Sequence, residues 1–125
     1  MTFDHVRAYC LALPAASEHM PWDDDTLVFK VKDKVFAITN IYTRPTTINL
    51  KCDPERAVDL RARYHAIAPG YHMNKKHWNT LTLDGSLPDE LIRQLIDHSW
   101  DLVVGGLKRP EREELLKMKS SEAGA

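Results

Sequence analysis

The chain is predicted to fold as a two-layer α+β domain, an antiparallel sheet of about five strands with helices on one side, in the order α-β-β-β-α-β-β-α. Three observations predict it. Thr26–Lys32 and Thr46–Cys52 alternate apolar with polar residues, the period of a half-buried strand, and the apolar run Val35–Ile41 lies between them. The links between these runs are too short for the helical crossover that parallel pairing needs, so the strands pair antiparallel. Further on, Leu91, Ile92, Leu95, Ile96, Trp100 and Val103 recur at helical spacing and form a broad apolar stripe that can cover one face of a sheet.

Taken in order, Thr2 caps a first helix in which Phe3, Val6, Cys10 and Leu13, with Tyr9 beside them, share one stripe, and Pro14 ends it. Ala15–Asp25 reads as a loop pinned by Trp22, with three consecutive aspartates after it. Thr26–Lys32 and Val35–Ile41 form a hairpin around the polar pair Asp33-Lys34, and Tyr42–Pro45 is a loop. In the third strand Ile48, Leu50 and Cys52 face the core while Thr47, Asn49 and Lys51 face water. Asp53-Pro54 starts a short helix to Tyr64, as N-cap and first helical position. Ala66–Ala68 is a brief edge strand before the Pro69-Gly70 turn, and His77–Asp84 is a strand with Leu81 and Leu83 on one face and Trp78, Thr80 and Thr82 on the other. Ser86 opens a capping-box-like SLPD pattern before the long helix, which Gly105-Gly106 stops. Pro110–Lys119 forms a charged terminal helix, and residues 120–125 a disordered tail, so residues 1–119 make a single domain.

The composition fits that reading. Within 125 residues, 43% are hydrophobic and 28% charged, as in folded soluble proteins, and there is room for one core. The net charge of -1 gives no overall attraction to nucleic acid. Cys10 and Cys52 lie on apolar faces with no metal-type spacing and read as packed thiols. Asp4, His5 and Arg7 interrupt the apolar core a secretory signal needs, and no run is long enough to span a membrane, so the chain is expected to be cytoplasmic with no membrane partner.

Chemistry concentrates in Ala68–Asp84. Lys51–Thr80 holds six Lys or Arg (Lys51, Arg56, Arg61, Arg63, Lys75, Lys76) against three acids, and also His65, His72 and His77. Such asymmetry suits one surface meeting phosphates, with Tyr71, Asn74 and Trp78 to stack or hydrogen-bond, although a solvated face produces the same pattern. His72 and His77, with His65 or Asp84, could converge on a metal, but Lys75 and Lys76 lie between the two histidines and oppose a cation, so no metal is expected. Asp23, Asp24 and Asp25 do not converge on one point, and no nucleophile, acid-base pair, Gly-rich phosphate loop or HExxH motif is present. The chain is therefore expected to be no enzyme and to use no cofactor.

The stretches TLVFKV (Thr26–Val31), INLKCDPE (Ile48–Glu55), PGYHMNKKHWNT (Pro69–Thr80) and LIDHSWDLVV (Leu95–Val104) resemble the MmcQ/YjbR family of small bacterial proteins, across nearly the whole chain and in the same order. The resemblance implies a compact α+β domain of the secretion-chaperone-like and CyaY-like kind, and a DNA-binding role without catalytic residues to carry over. The family motif falls on Tyr71, His72, Asn74, Lys75, Lys76, His77, Trp78 and Asn79, while Pro21–Asp25 and the chain from Gly105 depart from the usual pattern. The first expectation is double-stranded DNA bound by Lys51, Lys75 and Lys76, with Arg61 or Arg63, and with Tyr71, His72, Asn74, His77 and Trp78 alongside. Two others stand beside it. One is a chaperone-like adaptor or homodimer docking on the face of Trp78, Thr80, Thr47 and Asn49. The other is a small anionic ligand in a pocket walled by Tyr71, His72, Asn74 and Lys76.

Overall fold

The structure, a computed structural model, describes residues 1–124, with side chains through Lys119. Helix α1 (Phe3–Ala12) is followed by strands β1 (Ala16–His19), β2 (Thr26–Val31), β3 (Lys34–Asn40) and β4 (Thr46–Lys51). Helix α2 (Pro54–Arg63), strands β5 (Ile67–Pro69) and β6 (Trp78–Leu83), and helices α3 (Asp89–Gly105) and α4 (Arg109–Gly124) complete the order. All strand pairs are antiparallel, in one sheet of order β1-β2-β3-β4-β6-β5. The predicted class stands, with one strand more than expected. The expected tail over 120–125 falls where side chains, and at Ala125 the backbone, lie outside the described residues. None of the described helices is long and apolar enough to cross a membrane.

The added strand, β1, lies in the stretch expected to be a loop. Ala-Ser-Glu-His carries no β-branched or large apolar residue, so nothing in its pattern reads as a strand. It is a sheet edge, where backbone pairing with β2 and charged side chains suffice. Ala15, at φ 58°, turns the chain out of α1, and Arg7 of that helix grips Glu18 through two hydrogen bonds.

The hairpin turn sits one residue earlier than predicted. Lys32 (φ 48°) and Asp33 (φ 67°) both occupy the left-handed region that a two-residue turn of matching twist requires. Between Phe29 and Lys30 the pairing register slips, because Phe29 opposes Ala37 while Lys30 opposes Val35, and Phe36 is the extra residue. The bulge turns Phe36 inward, its ring centroid 6.4 Å from that of Phe29. Ser99 of α3, fully buried, donates to the Phe36 carbonyl (2.6 Å) and accepts from the Lys51 N–H (2.9 Å).

All four helices share one core with the inward face of the sheet: Val6 and Cys10 of α1, Ala57 and Leu60 of α2, Ile96 and Trp100 of α3 and Leu115 of α4 pack with Phe29, Ile48 and Leu81. The caps of the first two helices are as predicted, Thr2 accepting from His5 N–H and Asp53 from Arg56 N–H. The capping box before α3 is not formed. Ser86 turns back onto Asp84 instead (Oγ to Oδ1, 2.6 Å), and the helix starts after Pro88 without a side-chain cap. Burial raises both thiols, that of Cys10 to about 12.

His98 links α3 to the start of α2. Its Nε2 accepts the Asp53 N–H at 3.1 Å, a bond only the neutral ring can accept. Burial first, and Arg56 second, push its pKa below 6.5. A group whose folded pKa is depressed adds stability that is present above the unfolded value and is lost as pH falls through the folded one. Urea midpoints should therefore fall as pH drops below 6.5, and His98→Gln, which keeps an acceptor without a titrating group, should flatten that fall. An unchanged acid limb in that variant would remove His98 as its source.

Candidate functional site on the open face of the sheet

The face of the sheet turned away from the helices carries the candidate site. Strand register places His19, Val28, Ile38, Asn49, Thr80 and Ala68 in one row across all six strands. This face was expected to be wet, but Val28 and Ile38 are 0% and 7% exposed and lie outside the helix-covered core. The sheet is not open to water here because loops from both of its edges rise around the middle of the row. They enclose a hollow of about 620 Å³.

Ile38, Asn49, Thr47 and Thr80 floor the hollow, with Asn40 and Thr26 beyond them. The β1–β2 loop contributes Trp22 on one side, and the β5–β6 loop contributes Tyr71, His72 and Met73 on the other. Trp22 does not pin its loop, as its sequence position had suggested; it is 63% exposed. Asp23 does that instead, accepting from Asp25 N–H (2.8 Å), Thr26 N–H (2.7 Å) and the Thr26 hydroxyl (3.1 Å). Those donors favour the carboxylate and lower the pKa of Asp23. On the opposite side Tyr71 N–H donates to the Thr80 hydroxyl (2.9 Å), which donates in turn to Asn49 Oδ1. The Tyr71 and His72 rings lie 4.0 Å apart between centroids, with His72 at φ 58°.

The expected binding residues do not form one cluster. Tyr71 and His72 enter the hollow, but Asn74 is spent on its own turn, where Oδ1 accepts from Lys76 N–H (2.9 Å) and His77 N–H (3.3 Å). Lys75 Nζ folds back to the Gly70 carbonyl at 3.0 Å. Lys76 lines a separate depression beside Pro54, Val58 and Arg61, so the pocket expected from Tyr71, His72, Asn74 and Lys76 does not exist as one space. Lys51 and Trp78 are direct cross-strand partners, both half-buried, and the His77 carbonyl accepts Cys52 N–H at 2.7 Å. Of the residues weighed and set aside as metal ligands, His65 lies 3.7 Å from Asp84 while His72 faces the hollow. Among the described residues no group of three or more His, Cys, Asp or Glu is arranged to hold a metal ion.

Charge is sorted along the strands. At one end, where β2 finishes, β3 begins, β4 finishes and β6 begins, stand Lys30, Lys32, Lys34 and Lys51, with Lys75 and Lys76 in the turn before β6. At the other end stand Asp23, Asp24, Asp25 and Asp84, with Arg44 of the β3–β4 loop beside them and His65 3.7 Å from Asp84. Only the antiparallel register brings the hairpin lysines to the same end as Lys75 and Lys76, so sequence proximity alone grouped half of them.

A model of the YjbR domain family matches residues 11–102. The chain belongs to the YjbR family. It is 36% identical to the Escherichia coli K12 protein YjbR over 118 residues, covering 94% of this chain and 100% of that one. It is also 36% identical to YbdF of Escherichia coli O157:H7 over 109 residues, 87% of this chain and 89% of that one. The crystal structure of a Deinococcus radiodurans protein with a DUF419 domain superposes with a TM-score of 0.86 at 48% identity, covering 91% of this chain and 87% of that one. A Pseudomonas syringae protein superposes with a TM-score of 0.72 at 32% identity, covering 82% and 99%. The YjbR domain thus takes in the whole sheet, both loops around the hollow and most of α3.

Proposed function

We propose that this YjbR-family protein is a non-enzymatic DNA-binding protein that meets the phosphate backbone with the lysine-bearing end of its sheet. The observation that carries the reading is the gathering of Lys30, Lys32, Lys34, Lys51, Lys75 and Lys76 at that end, against Asp33, Asp53, Glu55 and Glu114, the last 4.0 Å from Lys32 Nζ. A net charge of -1 gives no attraction over the whole surface, so a local field has to supply it. Sorting acids to the far end of the strands provides that field and orients the approach. Trp78 is the cross-strand partner of Lys51, and in this reading it and His77 meet sugar or base once phosphates are engaged.

Each neutralised phosphate releases condensed counterion, so affinity for duplex DNA falls steeply with salt. Fluorescence anisotropy of a labelled duplex at low salt should show binding, and Lys75→Ala/Lys76→Ala should weaken it and lower the log-log salt slope by about 2. Lys34→Ala/Lys51→Ala should do the same. Absence of binding at low salt, or an unchanged slope in both double variants, would sink the proposal.

A further inference from the structure

We infer that the hollow on the helix-free face is a second binding site, for an uncharged, planar heteroaromatic ring held between Trp22 and Tyr71 and read by the side-chain amides of Asn40 and Asn49. The site goes beyond DNA binding because no lysine or arginine lines it. Four observations carry it.

Its volume of about 620 Å³ lies within the range of roughly 300–1,000 Å³ typical of small-molecule sites. Its side walls are large aromatics that the fold leaves uncovered, Trp22 at 63% and Tyr71 at 68% exposure. They come from loops at opposite edges of the sheet and line the same space, so each can offer aromatic surface to a flat ligand, Tyr71 together with the His72 ring 4.0 Å from it.

The polar floor is fixed in advance and is biased toward donating. Asn40 spends Oδ1 on Tyr42 N–H (2.8 Å) and Thr43 N–H (3.0 Å), and Asn49 spends Oδ1 on the Thr80 hydroxyl. Both amides therefore offer N–H donors to an occupant, which must bring acceptors such as ring nitrogens or carbonyls. The lining offers no Asp, Glu, Lys or Arg to pair with an ion, which favours an uncharged occupant. An extended peptide adding as a strand is excluded by the floor itself, since β3 and β4 are paired on both sides.

The test uses the full chain, isotopically labelled, titrated with adenosine, uridine and riboflavin to millimolar concentration and followed by amide NMR. At least one probe should shift the backbone signals of Ile38, Asn49, Tyr71 and Thr80 and the side-chain amides of Asn40 and Asn49. Trp22→Ala and Tyr71→Ala, truncations of exposed side chains that leave the rest of the spectrum in place, should each weaken that probe about tenfold. Lys34→Ala/Lys51→Ala, whose side chains line no part of the hollow, should leave it unchanged, which separates this site from the DNA-binding end. The inference is overturned if none of the three probes moves these signals, if both aromatic truncations bind as the parent does, or if the 5′-monophosphate of adenosine binds much more tightly than adenosine.

Discussion

Arg61→Met should lower the stability of the protein by about 3 kcal/mol, with a fall of roughly 10 °C in Tm. Sequence reading placed Arg61 among candidate phosphate contacts, but its guanidinium is turned inward. Nε donates to Asn79 Oδ1 at 2.6 Å, and an Nη donates to the carbonyls of Lys75 and, at 3.3 Å, Trp78. Hydrogen bonds from a charged donor contribute roughly 1.5–3 kcal/mol each, and these three tie α2 to the turn that leads into β6. Methionine keeps the aliphatic stem, so the loss reports the head group.

Asn79 makes the outcome sharper. It is 1% exposed on the inward face of β6, and its Nδ2 is buried without a partner. Removing Arg61 leaves Oδ1 unpaired as well, at the full cost of desolvation. Replacing both members by apolar groups removes that cost, so Arg61→Met/Asn79→Leu should lose less than the two single variants together. The remaining loss would belong to the two turn carbonyls. Thermal melts of the four proteins decide it, and simple additivity would refute the coupling.

How much of this was legible in the sequence depended on whether a residue acts through its own pattern or through register. Alternation in Thr46–Cys52 and the stripe from Leu91 to Val103 name their elements because burial selects residue type at a fixed period. The edge strand Ala16–His19 has no such period, since backbone pairing alone holds it. In PGYHMNKKHWNT the sequence concentrated suggestive residues, yet Tyr71, Lys75 and Lys76 point to three different places because the turn doubles back over the sheet. Trp22, Asn40 and Asn49 meet around one space only through the pairing of Val28 with Ile38 and of Ile38 with Asn49. No spacing rule connects a loop residue with residues 18 and 27 positions further on, on two separate strands.

Gly70 is where the fold and the candidate hollow depend on the same atom. Its backbone angle is one any residue adopts, so the requirement is space. A Cβ there would lie 2.8 Å from Trp78 Cβ, 3.0 Å from Met73 Cβ and 3.0 Å from the Trp78 carbonyl oxygen. None of these is the end of a flexible chain, and the Trp78 oxygen also accepts Gly70 N–H at 2.8 Å, so the strand and the turn have to separate. Gly70→Ala should therefore cost about 2–3 kcal/mol by overpacking. Gly105→Ala, with nothing within 4 Å of its Cβ, should change stability by no more than about 1 kcal/mol. The separation also pulls Tyr71 N–H from the Thr80 hydroxyl that orients Asn49, so Gly70→Ala, although still folded, should lose the ring-binding shifts while Gly105→Ala keeps them. A Gly70→Ala protein that melts like the parent would show that the turn can move without cost, and the link between turn and hollow would fail with it.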